Sequence, residues 1–231
     1  MLAGGGSDRR PYAEPKDRVI TMQLTAQTVR EYTELLAGPG PTPGGGSAAG
    51  LAGALAAAAA AMVGSFTVGK PKFAAVEAEV AALLAQLQVL RVRLLDLTDL
   101  DAECYAEVGA AYGMPKGTGE EKALRKSALQ EALRSAARVP LGVVTAAGEI
   151  AVLLPALAAQ GNPNLLSDVG VAAILAQAAF EAGRLNVEVN LAGIPDPTYV
   201  NALRATVAEA ETQIQIAKQV AADVLGKVSA P

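Results

Sequence analysis

Asp101 is the one charged member of a long apolar seam. Val76, Val80, Leu83, Leu87, Leu90, Leu94, Leu97, Asp101, Cys104, Val108 and Ala111 alternate spacings of four and three. That is the a/d rhythm of a helix packed against partner helices. A carboxylate in such a stripe must find a partner or shift its pKa, because burying a lone charge is expensive. Such groups are candidates for proton transfer or ligand binding. The competing readings are a salt bridge to a neighbouring helix and a seam exposed at that turn.

A second candidate is the loop Pro41 to Ser47, PTPGGGS, which feeds an Ala-rich helix. Three glycines let backbone amides come close to a ligand, and a helix start carries partial positive charge. The Lys-Ser/Thr pair of a P-loop is missing. By spacing alone, a plain linker explains the loop equally well. Lys70 and Lys116 lie in Gly/Pro-containing loops, VGKPKF and GMPKGTG, where most lysines are simply solvated. Asp168 follows a turn signal and competes with a helix-cap role. Asn186 and Asn190, four apart, share a helix face and could bridge helices or read a polar ligand. Nothing near Cys104 in sequence would activate its thiol.

Composition removes alternatives. The 231 residues hold no histidine, no tryptophan and one cysteine, and 52% are hydrophobic. A Ser-His-Asp triad, a Cys-His pair, the usual zinc site and an internal disulfide are all excluded. The net charge is −4 and only 3% of residues are aromatic, so the basic, aromatic-studded surface of a nucleic-acid binder is absent. Ser47 to Phe66 is uncharged and long enough to span a bilayer. It is mostly Ala and Gly, poor in the residues that insertion favours, and is read as a closely packed buried helix with no membrane role.

These residues need helices to hold them. Strand alternation is scarce, and about fifty alanines favour helix. The chain reads as all-α, with a tail over residues 1–20 and one helical domain over 21–231. Helices are expected over Thr25–Ala37, from Ser47 to Phe66, and from Phe73 to Tyr112. A capping box, Thr118-x-x-Glu121, opens the next, to Arg138. Pro140 is expected as the first residue of a separate helix to Gln160. The turn Gly161-Asn162-Pro163-Asn164 precedes a helix over Leu165–Leu191. Asp196-Pro197 caps the last, to Lys227. The tail lacks the apolar core of a signal peptide and is expected to be flexible. The low cysteine count fits a reducing cytoplasm.

PTPGGGSAAGLAGALAAAAAAMV, VGKPKF, DLDAECYAEV, MPKGTGEEKALR, ARVPL, GNPNLLSDVGVAAILAQAA and NVEVNL follow one another in order. Together they resemble the cyclodeaminase/cyclohydrolase family. That family comprises the C-terminal half of formiminotransferase-cyclodeaminase and stand-alone methenyltetrahydrofolate cyclohydrolases. The resemblance runs from about Thr25 to Leu225. It implies a multihelical bundle with a long central helix, a homodimer, and action on the carbon between N5 and N10 of tetrahydrofolate. It implies a folate substrate and no tightly bound cofactor or metal. A non-catalytic helical dimer of the same fold, binding folate or a protein partner, is the alternative.

With the family in view, roles can be assigned as expectations. Asp101 supplies a carboxylate and Lys70 or Lys116 a cation for proton transfer. Asn164 and Asp168 hold the pterin. Pro43, Gly44, Gly45, Gly46 and Ser47 bring helix-start amides to the substrate, with its glutamate carboxylate the natural target. Asn186 and Asn190 complete the binding set.

Overall fold

The computed structural model describes residues 23–229, and the expected tail over 1–20 lies outside them. Six α-helices follow three-residue 3-10 turns or short loops: α1 Val29–Ala37, α2 Gly45–Ser65, α3 Glu77–Gly113, α4 Gly119–Gln160, α5 Leu166–Leu191 and α6 Pro197–Val228. No strand occurs among the described residues.

The caps explain several boundaries. Thr118 and Glu121 form the expected capping box at α4, and Asp196 accepts from the amides of Thr198 and Tyr199 at α6. The first helix begins later than expected. Thr28 and Glu31 make a reciprocal capping box there, so Val29 is the first helical residue. Thr25 instead sits in a 3-10 turn and donates its amide (3.0 Å) and hydroxyl (2.6 Å) to the Asp99 carboxylate.

α2 packs antiparallel on α3 through its small residues. A β-carbon at Gly50 would lie 2.6 Å from Thr98 Oγ1, at Gly53 2.8 Å from Leu94 Cδ2, and at Gly64 3.1 Å from Leu84 Cβ. Side chains on this face would push the helices apart, so glycine sets their separation. The seam of α3 faces inward as its spacing requires. Val80, Leu87, Leu90, Leu94, Cys104 and Ala111 are buried, and the other members, Asp101 included, are half-buried. α5 runs antiparallel to α2 on another side, with Asn186 against Gly45 and Ala179 against Gly53. α4, the longest helix at 42 residues, touches α2, α3, α5 and α6. Phe180, Ile150, Leu154, Leu157, Leu87 and Leu94 fill the shared core.

Pro140 does not begin a helix; it lies inside α4, as does Pro155. An interior proline removes a backbone hydrogen bond and would leave the carbonyl four residues earlier without its donor. Here that carbonyl, of Ala136, accepts instead from Asn190 Nδ2 on α5, at 3.3 Å. One long helix is therefore compatible with a proline that reads as a start signal. Asn190→Ala is expected to destabilise the protein by about 1–3 kcal/mol, the cost of a buried acceptor left unsatisfied. Denaturant unfolding would read it, and an unchanged midpoint would refute the role.

Three stretches, Gly45–Ser65, Gly119–Gln160 and 163–191, are long and apolar enough to cross a membrane by length and composition. In the fold they pack against one another, unevenly. The most apolar window of α2 is 61% buried and that of 163–191 only 39%.

Candidate active site

The start of α2, the middle of α3 and the C-terminal half of α5 meet at one place. Asp101 Oδ2 accepts the amide of Ser47 at 2.9 Å. A β-carbon at Gly46 would lie 2.6 Å from Asp101 Cγ, so the carboxylate fits against α2 because residue 46 has no side chain. Ser47 is buried, and its hydroxyl shares a 3.0 Å hydrogen bond with the Tyr32 hydroxyl of α1. Asn186 lies beside Gly45 and donates to the Ala182 carbonyl at 2.8 Å. Pro43 is buried just before the glycines, after a cis Thr42–Pro43 peptide bond.

The electrostatics follow from burial. Desolvation pushes the Asp101 carboxyl above its ordinary range, although the Ser47 amide pulls it the other way. The Tyr32 phenol is raised as well, by desolvation first, against the lowering bond to Ser47, with Asp101 adding to the rise. Cys104, one turn along α3, is pushed up to about 11 by burial and by Glu107, Asp101 and Glu103. It is a packed thiol rather than a nucleophile. Asp101 is the candidate for proton exchange, a carboxylate that holds its proton more tightly than an ordinary aspartate.

The remaining expected residues lie elsewhere in the chain. Lys70 follows the far end of α2. Ser47 and Ser65 are eighteen residues apart on one helix, or about 27 Å. Asn164 and Asp168 belong to that same far end. The Asn162 amide donates to Thr67 Oγ1 at 2.9 Å, tying the GNPN turn to the end of α2. Asp168 is in the first turn of α5, where its charge suits the helix dipole, but it makes no capping hydrogen bond. Lys116 lies beyond the end of α3, whose last residue, Gly113, is about 18 Å along the axis from Asp101. So Gly44–Ser47, Asp101 and Asn186 come together, Lys70, Asn164 and Asp168 gather at the opposite end of α2, and Lys116 stands apart. Asn190 spends both donor bonds on helix carbonyls, Ala136 at 3.3 Å and Asn186 at 2.9 Å.

Two further points were not visible in the sequence. The Ser47 amide expected for a substrate anion is already engaged by Asp101. Tyr32 was not among the candidates. The signal for it was its place on the inner face of a helix opened by Thr28-x-x-Glu31. Among the described residues, no three Cys, Asp or Glu side chains converge to hold a metal ion. Two surface depressions, one between α3, α4 and α6 and one between α3 and α4 near Met114, include neither Asp101 nor Ser47.

The fold and this site define the class: an all-helical bundle in which the amide at the start of a glycine-led helix holds a carboxylate of raised pKa. The profile of the formiminotransferase-cyclodeaminase family matches residues 28–209. The chain belongs to that family. It is similar to a methenyltetrahydrofolate cyclohydrolase of Methylorubrum extorquens, 39% identical over 173 residues, covering 75% of this chain and 83% of that one. It is 32% identical to the formimidoyltransferase-cyclodeaminase of Rattus norvegicus, covering 97% of this chain but 43% of the rat protein, so it spans under half of that relative's length. Its fold matches the crystal structure of a formiminotetrahydrofolate cyclodeaminase from Thermotoga maritima. The TM-score is 0.78 at 34% identity, over 88% of this chain and 98% of that one.

Proposed function

We propose that the chain is a tetrahydrofolate one-carbon enzyme that opens the methenyl bridge between N5 and N10, a methenyltetrahydrofolate cyclohydrolase. The observation that carries this is Asp101, a half-buried carboxylate of raised pKa at the start of α2 in a chain of this family. Water attacks the methenyl carbon and Asp101 takes its proton. The bond to N5 breaks as N5 takes a proton and the adduct's hydroxyl releases its own to the solvent to become the formyl carbonyl, and 10-formyltetrahydrofolate leaves. The methenyl group is cationic, so an anionic Asp101 also favours its binding. A lysine delivers the proton to nitrogen.

Cyclodeamination is the second reading, favoured by the match to the Thermotoga maritima enzyme over nearly all of its length. There N10 attacks the formimino carbon and ammonia leaves after protonation, which uses the same two groups. In either reading the enzyme is cytoplasmic, takes a folate substrate and works as a homodimer.

The methenyl chromophore separates the two. Its loss on adding enzyme, with 10-formyltetrahydrofolate as product, is the expected result. Its appearance from formiminotetrahydrofolate would make the enzyme a cyclodeaminase. Neither change would refute both readings.

A further inference from the structure

Tyr32 is the one buried side chain of α1, a nine-residue helix otherwise exposed or half-buried. A helix that short is marginal by itself. Two sets of hydrogen bonds and the buried Leu24 hold the segment to the bundle. Thr25 is bonded to Asp99, two residues before Asp101 on α3. Tyr32 is bonded to Ser47, the residue whose amide Asp101 accepts. The two anchors therefore fall on the two helices that Asp101 joins.

The need for the second anchor lies in α2. Gly44, its cap residue, has no side chain to accept from the first turn. The first bond internal to the helix runs from the Ala48 amide to the Gly44 carbonyl, at 3.1 Å. The amides of Gly45, Gly46 and Ser47 thus have no partner within α2, and Asp101 takes the third. Residue 46 must lack a side chain for the carboxylate to fit. Glycine, however, has the backbone that is hardest to hold in a helix. A turn that begins Gly44-Gly45-Gly46 tends to fray, and the Ser47 amide moves with it. Ser47 is the first residue of α2 with a side chain, and Tyr32 holds that side chain at 3.0 Å.

We infer that Tyr32 is a positioning residue: through the Ser47 hydroxyl it fixes the glycine-led first turn of α2, and with it the amide that aims Asp101. It acts at one remove, two hydrogen bonds from the carboxylate. The inference rests on the catalytic reading for its effect on turnover, but the hold on the turn is independent of any substrate. The surroundings make the effect readable. The Ser47 amide is what lowers the Asp101 carboxyl against the rise that burial causes. α2 carries no ionisable residue. On α1, Glu31 caps its own helix. On α3, Asp99 is engaged by Thr25, Glu103 is exposed, and burial above all pushes the Cys104 thiol up to about 11. On α5, Arg184 and Glu188 flank Asn186 and are paired with Glu181, Glu211 and Arg204. α4 brings Ala136 and Val139 to Cys104. Loosening the amide therefore raises the Asp101 carboxyl further.

Tyr32→Phe removes the hydroxyl and keeps the ring that seats α1. It is expected to lower kcat roughly tenfold, less than an ångström's misplacement costs, with KM within about twofold of the wild type. The acid limb of its pH–rate profile is expected to move to higher pH. An unchanged kcat, or a limb that stays or moves lower, overturns the inference. Ser47→Ala breaks the same link from the other end. The double variant is expected to be no slower than the slower single one, because one link is lost once. Losses that multiply overturn the route through Ser47. Amide exchange, followed by mass spectrometry on residues 44–50, reads the turn without substrate. Several-fold faster exchange is expected there in both single variants, with residues 56–64 of α2 unchanged. Exchange equal to the wild type, or faster along all of α2, overturns the hold. If the wild-type protein turns over neither folate, the catalytic reading fails, and exchange still decides whether Tyr32 holds the turn.

Discussion

Asp101→Asn is expected to lower turnover of the methenyl substrate by about a hundredfold to ten-thousandfold, the range for losing a positioned acid–base group. The same change is expected to leave the fold intact. Asparagine keeps an oxygen that can accept the Ser47 amide, and it removes a charge that burial disfavours. The sign of the stability effect follows from linkage. The carboxyl of Asp101 is raised in the folded protein, so its native state binds the proton more tightly than the unfolded state does. That contribution is complete below the ordinary aspartate pKa and is lost as pH rises through the folded value. At neutral pH the asparagine variant should therefore unfold at a temperature equal to or above that of the wild type. The advantage should shrink as pH falls from the raised folded value to the ordinary aspartate pKa, and stay constant below it. Thermal unfolding across pH, alongside rates on the same samples, checks both halves. A variant that is inactive because it has unfolded would contradict this account, and one with wild-type rates would remove Asp101 from the chemistry.

Gly46→Ala is expected to be nearly as damaging to activity, for a steric reason. Its β-carbon would fall 2.6 Å from Asp101 Cγ and 2.8 Å from Oδ2, closer than real contacts allow. Either the carboxylate rotates away from the Ser47 amide or α2 lifts from α3. Displacing a catalytic group by an ångström costs on the order of a hundredfold in rate. Gly45→Ala is the control. Its β-carbon would lie 3.5 Å from Asn186 Nδ2, an ordinary contact, and alanine is the better helix former by about 1 kcal/mol. The neighbouring substitutions should therefore diverge, one nearly inactive and the other active and no less stable. If both behave alike, the fit of Asp101 against α2 is not what makes glycine necessary at position 46.

The sequence carried the helices well because their signals are local. The period of the α3 seam, the capping box at Thr118 and the Asp196-Pro197 start all act over a few residues, and all are found. Pro140 misled because its rescue is remote: the donor that mends the ladder is on another helix, fifty residues on. The first helix was placed too early because Thr25 and Thr28 are both plausible caps, and only Glu31 distinguishes them. At the site, Asp101 stood out as a charge in an apolar stripe, and its raised pKa agrees. Its contact with the Ser47 amide could not be read, since it depends on how closely two helices approach, which glycines at 46, 50 and 53 set together. Nor did spacing reveal that the named motifs lie at opposite ends of one helix. A motif order along the chain says nothing of distance across a bundle.

The bond from Asn190 to the Ala136 carbonyl bears on how the chain comes to be folded. Before α5 is in place, the segment around Pro140 lacks a rung, and its flanks are two shorter helices with a weak joint between them. The arrival of α5 closes that joint and turns two segments into one rod. The longest helix of the molecule is thus a product of assembly rather than its starting point. The partner for the Ala136 carbonyl, which keeps the helix's bonding complete past Pro140, is one amide side chain from a region synthesised later.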